Sequence, residues 1–389
     1  MLGMVVRLFE LEGIVAHNLA SRFFHPQSFR NMNALHDQLR LSMPQLRITP
    51  LLIAANVVVF VAMLFSGAGL WHSQNGVQLA WGANFGPATQ DGEWWRLGSA
   101  LFLHFGLLHI ALNMYAMWDA GQWVERMYGY FRFALIYFAA GLAGNLLSLV
   151  VHAGQAVSGG ASGAIFGLYG ALLSYLWLER SRMQPGEFRW LFWAAIGFSV
   201  VTIVFGFLVP GIDNAAHIGG LVAGLLMGML LIKSDGNVIA IQQGGRVASG
   251  LVFVVLISAM VARIPPPAYR WSEEKLVRQE IGEFLEQDAA ISRTWESVLQ
   301  QGRRKGVSSD DLADVIESLV VERYEHSFED LSALPHDARL PSAQQAERLR
   351  IYAEQRRDAS REMVEGLRAR DGKRIQKALE DARKSRRDK

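Results

Sequence analysis

The chain has 389 residues, of which 51% are apolar, 37 are glycine and none is cysteine, and its 38 Lys and Arg residues nearly balance 36 Asp and Glu. Apolar residues and glycines together make up about 60% of the chain, whereas soluble domains have roughly 45–50%. This composition disfavours a soluble globular protein, and the lack of cysteine excludes disulfides, thiolate metal sites and a cysteine nucleophile. Most charged residues lie after residue 263. We therefore expect a membrane region followed by a charged soluble region.

Seven segments are predicted to span a membrane, because about 20 mostly apolar residues cross a hydrocarbon core of ~30 Å. They are 48–67, 99–118, 131–152, 160–178, 190–209, 214–232 and 246–263. The fold class predicted from them is an all-α polytopic membrane protein. Its expected parts are an N-terminal cytoplasmic segment, a six-helix core, a loop with a seventh span, and a charged helical soluble domain, at 1–47, 48–235, 236–263 and 264–389.

Basic residues are unevenly distributed between the predicted spans, and short loops rich in Lys and Arg stay in the cytoplasm. The N-terminal segment and every second loop carry twelve Lys and Arg residues, whereas the other loops carry only Arg96. This predicts a cytoplasmic N-terminus, and an odd number of spans places residues 264–389 on the outer side. No cleavable signal peptide is expected, because Glu10 and Glu12 interrupt the first apolar stretch. The expected location is a bacterial inner membrane.

Polar side chains occur inside three of the predicted spans, where they are costly and therefore indicate function. They are His104, His109 and Asn113 in the second span, Ser162 in the fourth, and Asp213, Asn214 and His217 at the start of the sixth. His109 and Asn113 are four residues apart and share a helix face, whereas His104 is predicted to point about 140° away. A metal site is disfavoured, because HExxH and cysteine are absent from the sequence. The other interpretation is that these side chains only form hydrogen bonds between helices.

Ser162 lies in a stripe of small residues with Gly163 and Gly167, and Gly220 begins a similar stripe on the sixth span. Such stripes let helices pack closely, so Ser162 could be only a packing residue. Both spans are predicted to begin on the outer side, which puts Ser162 and His217 at one depth if the helices are neighbours. A histidine in hydrogen-bond reach can activate a serine hydroxyl, and the His109 and Asn113 face offers donors to the resulting oxyanion.

These motifs, taken together, resemble those of the rhomboid family of intramembrane serine proteases over residues 48–233. The matching residues are His104, His109 and Asn113 in the second span, Gly160-Ala161-Ser162-Gly163 in the fourth, His217-Ile218-Gly219-Gly220 in the sixth, and Trp95-Arg96 and Gly121-x-x-x-Glu125 around the second. The resemblance implies that Ser162 is the nucleophile and His217 the general base of a dyad, with His109, Asn113 and the Ser162 backbone N–H in the oxyanion hole.

The other matching residues are expected to support the site rather than to react. They are His104, Trp95, Arg96, Glu125, Gly160, Gly163, Phe166 and Gly220. Phe166 stands where the family often has tyrosine, and activity is expected to survive this difference. The implied partners are transmembrane substrates, cut near their outer end, and the lipid bilayer. We expect a polar cavity above the dyad, closed by the fifth span and capped near Pro210 and Gly211, and no metal, other cofactor or nucleic acid.

Three alternatives remain open at this point. The chain could be a catalytically inactive rhomboid-like protein that binds transmembrane helices, although both dyad residues are present. It could be a channel or transporter, although the sequence shows no related halves of the kind common in transporters. The soluble C-terminal domain could also be the main actor, with the membrane core as its regulator. The oligomeric state and the physiological substrate are not predicted.

Overall fold

The computed structural model describes residues 33–152, 156–232, 240–302 and 308–388. Most of the predicted N-terminal segment, residues 1–32, and the predicted boundary at 235 and 236 lie outside the described residues. The chain divides into two units, Met1–Pro266 and Pro267–Lys389.

Within its described part, the first unit is built of helices joined by loops. Its helices are α1 Asn33–Ser42, α2 Ile48–Phe65, α3 Asn75–Ala80, α4 Gly86–Gln90, α5 Arg96–Ser99, α6 Leu107–Tyr128, α7 Tyr130–His152, α8 Ser162–Glu179, α9 Pro185–Leu208, α10 Asn214–Leu231 and α11 Ala240–Ala262. Short 3₁₀ turns follow α5 at Ala100–Phe102 and α8 at Arg180–Arg182.

Five of the described helices are long and apolar enough to cross a membrane, namely α2, α7, α9, α10 and the Gln243–Ala262 part of α11. A sixth is added if Arg96–Phe102 and Leu107–Tyr128, which are bent by 93°, count as one span. The protein is therefore an all-α multi-pass membrane protein, as the sequence predicts. The predicted second span, 99–118, is wrong as a single straight helix, because the chain turns sharply before Leu107 and α6 then continues to Tyr128.

Helix α8, the predicted fourth span, is less apolar than these helices and is not among those that are long and apolar enough to cross a membrane. It lies in the middle of the bundle, where α6, α7, α9 and α10 all pack against it, and most of its side chains are buried. A helix covered by protein does not need a lipid-facing apolar surface, so it can carry glycine, serine and tyrosine. The catalytic candidate Ser162 is the first residue of this central helix.

The segment between α2 and α6 folds over one end of the bundle and is held by buried polar side chains. Arg96 is only 5% exposed, and its guanidinium donates to Leu79 O at 2.8 Å, to Ala83 O at 3.1 Å and to Glu93 Oε2 at 2.6 Å. A buried arginine that donates to backbone carbonyl groups in this way stabilises a loop in which these groups have no partners from regular secondary structure.

At the other end of α6, Glu125 is fully buried and caps the start of α2. Its carboxylate accepts from the backbone N–H groups of Arg47, Ile48 and Thr49 at 2.7, 2.9 and 2.7 Å, and from the Thr49 hydroxyl at 2.6 Å. The first N–H groups of a helix have no partner within the helix, and a carboxylate there is also favoured by the helix dipole. Glu125 thus joins α6 to α2, far along α6 from His109.

We expect Glu125→Ala to lower the free energy of unfolding by about 2–4 kcal/mol, because several buried N–H groups lose a charged acceptor. Thermal unfolding of the purified protein in detergent measures this effect. Glu179→Ala is the matched control, since Glu179 pairs with the exposed Arg182 at 3.0 Å, and a pair with an exposed partner contributes under about 1 kcal/mol. Equal melting temperatures for the two variants would contradict the capping role.

The second unit is a separate helical domain with its own core. Its helices are α12 Trp271–Gly302, α13 Ser309–Ile316, α14 Glu322–Ser332, α15 Ala343–Arg368 and α16 Gly372–Asp388, with a π turn at Glu317–Val321 between α13 and α14. At its centre Asp288 accepts from the hydroxyls of Tyr324 and Tyr352 at 2.7 and 3.0 Å. Burial raises the pKa of Tyr324, so the hydroxyl stays protonated and keeps donating. The helical nature of this region confirms the sequence prediction.

Candidate active site

Ser162 lies at the start of α8, directly after a loop that is held by backbone hydrogen bonds to two neighbouring segments. The backbone of Ser158 exchanges two hydrogen bonds with Asn84, at 2.9 and 2.8 Å, and Gly160 N donates to Ala100 O at 2.8 Å. Gly160 has a φ of +148°, and a Cβ there would lie 3.1 Å from His109 Nε2 and 3.7 Å from Ser162 Oγ. Glycine therefore leaves room between these two side chains.

His217 lies in the first turn of α10 and reaches Ser162 directly. Its Nε2 is 2.9 Å from Ser162 Oγ, within hydrogen-bond distance. The ring is 5% exposed and stacks on Phe166, with the ring centroids 4.4 Å apart and the planes at 14°. Phe166 is one turn after Ser162 on α8, so the same helix supplies both the nucleophile and the support for the base. Stacking restricts the imidazole to an orientation in which Nε2 faces the hydroxyl.

The close approach of α8 and α10 depends on glycine at matched positions. A Cβ on Gly220 would overlap the carbonyl group of Gly163, and one on Gly224 would overlap the carbonyl group of Gly167. The predicted packing of the two stripes is therefore confirmed. Because both helices run in the same direction from the same end of the bundle, this contact brings Ser162 and His217 to one depth.

His109 and Asn113 lie on the first two turns of α6, next to the loop that carries Gly160. Asn113 is 7% exposed, and its Nδ2 donates to His109 O at 2.9 Å, which leaves the second amide hydrogen free to donate elsewhere. His104 is not on this helix, because α6 begins at Leu107. Its ring meets the His109 ring edge-on at 5.0 Å, so the prediction that it points elsewhere is wrong. The bend in the chain before α6 brings the His104 side chain back against His109.

Trp95 and Arg96 lie in the segment between α2 and α6, away from the dyad. The Arg96 guanidinium lies over the Trp95 ring at 4.9 Å, and Trp95 itself is 56% exposed. An exposed tryptophan at the end of a membrane bundle is typical of the headgroup region.

Asp213 has no part in the dyad predicted from the sequence, but it lies beside it. Its Oδ1 caps α10 by accepting from Ala216 N at 2.9 Å. Its Oδ2 accepts from the hydroxyls of Ser148 and Ser158 at 2.5 and 2.6 Å. One carboxylate thus joins α7, the loop before Ser162 and the helix that carries His217. An aspartate just before an apolar helix is a known N-cap signal, which is how the sequence could have indicated it.

Asp213 is not a third member of a hydrogen-bonded triad. His217 Nδ1 has no hydrogen-bond partner among the described residues, so the geometry is that of a serine–histidine pair. Within the same described part of the chain, no group of three or more His, Asp or Glu side chains is arranged to hold a metal ion.

A cavity of about 440 Å³ lies next to the loop at Pro210 and Gly211. Its lining comes from α7, the end of α9, this loop and the start of α10, and it does not include Ser162 or His217. The cavity at this loop is therefore not the predicted one above the dyad. Beside this cavity Asn214 Nδ2 donates to Ile203 O at 3.0 Å, which joins the start of α10 to α9.

Comparison with known proteins assigns this membrane bundle to a family. The family model described as Rhomboid domain matches residues 91–234. The chain is 33% identical to the rhomboid protease GluP of Bacillus subtilis over 268 residues, which is 67% of this chain and 48% of that protein. It is 30% identical to the mitochondrial RHOMBOID-like protein 6 of Arabidopsis thaliana over 217 residues, which is 48% of this chain and 68% of that protein.

A third relative is the rhomboid-like protease 1 of Toxoplasma gondii, with 34% identity over 152 residues, 39% of this chain and 52% of that protein. The chain belongs to the rhomboid family. This makes it a multi-pass membrane protein of a family that contains intramembrane proteases, alongside relatives whose names claim no protease activity. The chain spans about half the length of the Bacillus relative, 48%.

Proposed function

We propose that this protein is an intramembrane serine endopeptidase that cuts transmembrane helices near their outer end. The observation that carries the proposal is the 2.9 Å contact between Ser162 Oγ and His217 Nε2, inside a bundle of membrane-spanning helices. A serine hydroxyl is a weak nucleophile at neutral pH, and a histidine at this distance can remove its proton during attack on a peptide carbonyl.

The same geometry supports each half of an acyl-transfer cycle. In the first half, Ser162 Oγ attacks the carbonyl carbon, His217 takes the proton and then delivers it to the leaving amine. In the second half, His217 takes a proton from water as the water oxygen attacks the acyl carbon, the bond from that carbon to Ser162 Oγ breaks, and His217 returns the proton to Ser162 Oγ as the acid product leaves. The negative charge on the carbonyl oxygen is stabilised by the Ser162 backbone N–H together with His109 and Asn113. His109 suits this role, because its Nε2 and Ser162 Oγ both lie within 4 Å of the position that a Cβ of Gly160 would take, so the imidazole is close to the nucleophile.

The orientation follows from the distribution of basic residues. The N-terminus is cytoplasmic, so the starts of α8 and α10, and with them the dyad, lie near the outer face. The location that fits is the inner membrane of a bacterium. Crossing by α11 would place the second unit outside.

The proposed function is tested with single-span substrates in liposomes that contain the purified full-length chain, with a chelator present. Cleavage within the outer part of the substrate span supports the proposal and excludes a metal protease. If folded protein cuts none of a panel of substrates, the proposal is wrong. The inactive, helix-binding alternative then predicts that the same substrates still associate with the protein in the bilayer.

We expect His109→Ala and Asn113→Ala each to slow cleavage without abolishing it. Loss of one donor to an oxyanion costs up to about 10²–10³-fold in kcat, and the remaining donors still act. Initial rates at saturating substrate measure this. Gln122→Ala, farther along α6, is the control for a general effect on that helix. If neither variant changes kcat, neither residue belongs to the oxyanion hole.

A further inference from the structure

Helix α6 carries a carboxylate, Asp119, on an exposed part of its surface. Asp119 lies ten residues after His109 and six before Glu125, so at about 1.5 Å per residue it is roughly 15 Å from the first and 9 Å from the second along the helix. Asp119 therefore lies within the membrane-spanning length of α6, where an ionisable side chain is costly and rare. None of the steps proposed above uses Asp119.

One partner of Asp119 is Tyr169 of the central helix. The Tyr169 hydroxyl donates to Asp119 Oδ2 at 2.8 Å, and its ring stacks on Phe198 of α9 with centroids 4.3 Å apart. Tyr169 is 3% exposed, so it forms a buried floor beneath the exposed carboxylate. A carboxylate has about four lone-pair sites, so one hydroxyl leaves acceptor capacity for another donor.

This pair of side chains lies where α6 and α9 flank α8. Both helices pack against α8, but they share few contacts with each other in the described part of the chain, which leaves a seam whose floor is α8. On α6, Leu112 and Tyr115 are 60% and 52% exposed, and with Asp119 they follow the spacing of one helical stripe. The stripe starts one residue before Asn113 and ends at the carboxylate.

The distance from the dyad to this carboxylate can be read from α8. Tyr169 is seven residues after Ser162, which is two helical turns or about 10 Å. Consider a substrate helix that lies along the seam with its cut bond at Ser162. The side chain that then faces Asp119 is about seven residues from the cut bond, toward the membrane interior. An apolar side chain there would cover the carboxylate and leave it without a partner, which is costly, whereas a hydrogen-bond donor would satisfy it.

We propose that Asp119, held by Tyr169, is a binding site for a hydrogen-bond donor on the substrate helix, an amide, hydroxyl or amine side chain about seven residues from the cut bond on its cytoplasmic side. The inference rests on the proposed function and adds a substrate class to it. The preferred substrate is a transmembrane helix with a polar residue in its middle, and Asp119 makes the enzyme select it over a wholly apolar helix.

The test compares two single-span substrates that differ only at this position, Asn in one and Leu in the other, with full-length protein in liposomes. Wild type is expected to cut the Asn substrate about tenfold more efficiently in kcat/KM, the order expected for one hydrogen bond in a membrane. Asp119→Leu is expected to lose this preference. A series that moves the Asn by one residue at a time should show its maximum near the seventh position.

Tyr169→Phe is the matched control, since it removes the bond to Asp119 but keeps the carboxylate, and the preference for Asn should remain. The proposal is wrong if wild type cuts both substrates equally well, or if Asp119→Leu retains the preference. It is also wrong if Asp119→Leu slows both substrates by the same factor while the melting temperature falls, because that result indicates a purely structural role.

Binding separates this inference from the proposed function. Energy transfer between labelled substrate helices and the Ser162→Ala protein in liposomes reports association without cleavage. We expect the Asn helix to bind about tenfold more tightly than the Leu helix, and Asp119→Leu in the same background to remove the difference. Absence of cleavage by wild type overturns the protease function, whereas equal binding of the two helices overturns the role of Asp119.

Discussion

Ser162→Ala is expected to abolish cleavage of every substrate while the protein remains folded. Loss of the nucleophile of a serine hydrolase costs at least about 10⁴-fold in kcat, because no other side chain can form the acyl intermediate. Alanine fits the site, since Ser162 lies at the start of a helix among small residues. Cleavage of a single-span substrate by the variant in liposomes, together with its melting temperature in detergent, measures both parts of the expectation.

His217→Ala serves as the companion variant, because the two residues act as one unit. Its loss should be of the same order, and the double variant should be no slower than either single one. Two outcomes would contradict the dyad. Residual cleavage within tenfold of wild type in the serine variant would exclude it as nucleophile. Unfolding of the serine variant would instead favour the interpretation that Ser162 is only a packing residue.

Gly220→Ala is expected to remove activity by a different route, through the packing of α10 on α8. The added Cβ would overlap the Gly163 carbonyl group, and backbone atoms cannot move aside as a flexible side chain can. Separating the helices should lower the free energy of unfolding by about 3 kcal/mol or more, the upper part of the range for overpacking. It should also pull His217 away from Ser162, so that cleavage falls with stability.

Gly197→Ala on α9 is the control for Gly220→Ala, because a Cβ there has no heavy atom within 4 Å. Alanine is about 1 kcal/mol more favourable than glycine within a helix, so this variant should unfold no more easily than wild type and should cut substrate normally. The packing argument fails if Gly220→Ala melts at the wild-type temperature with full activity. A variant that melts normally but does not cleave would restrict the role of Gly220 to positioning the dyad.

The sequence was sufficient for the membrane class and for the pairing of Ser162 with His217. Long apolar stretches are a direct consequence of the cost of exposing polar groups to lipid, so they are visible without a structure. The complementary glycine stripes also predict which two helices approach closely. The order in which the motifs occur along the spans was specific enough to indicate the rhomboid family before any geometry was known.

Other features could not be derived from helical periodicity. Helical periodicity puts His104 on the wrong side, because it assumes one continuous helix, whereas the chain bends by 93° before α6 begins. Helix α8 is less apolar than the other spans, because a helix that is covered by neighbouring helices does not need apolar side chains to face lipid. The junction at Asp213 depends on two hydroxyls that are 65 and 55 residues away in the chain, a separation that local patterns do not encode.

What the sequence by itself determined, then, is which segments must lie in the membrane and which polar residues within them are candidates for chemistry, because the solvation of each segment depends on its own side chains. Only the tertiary structure decided which polar atoms meet. It places His217 Nε2 2.9 Å from Ser162 Oγ and Tyr169 against Asp119 at 2.8 Å. Hydrogen bonds require distances within a few tenths of an ångström, and such distances are set by the packing of several helices at once rather than by any one of them.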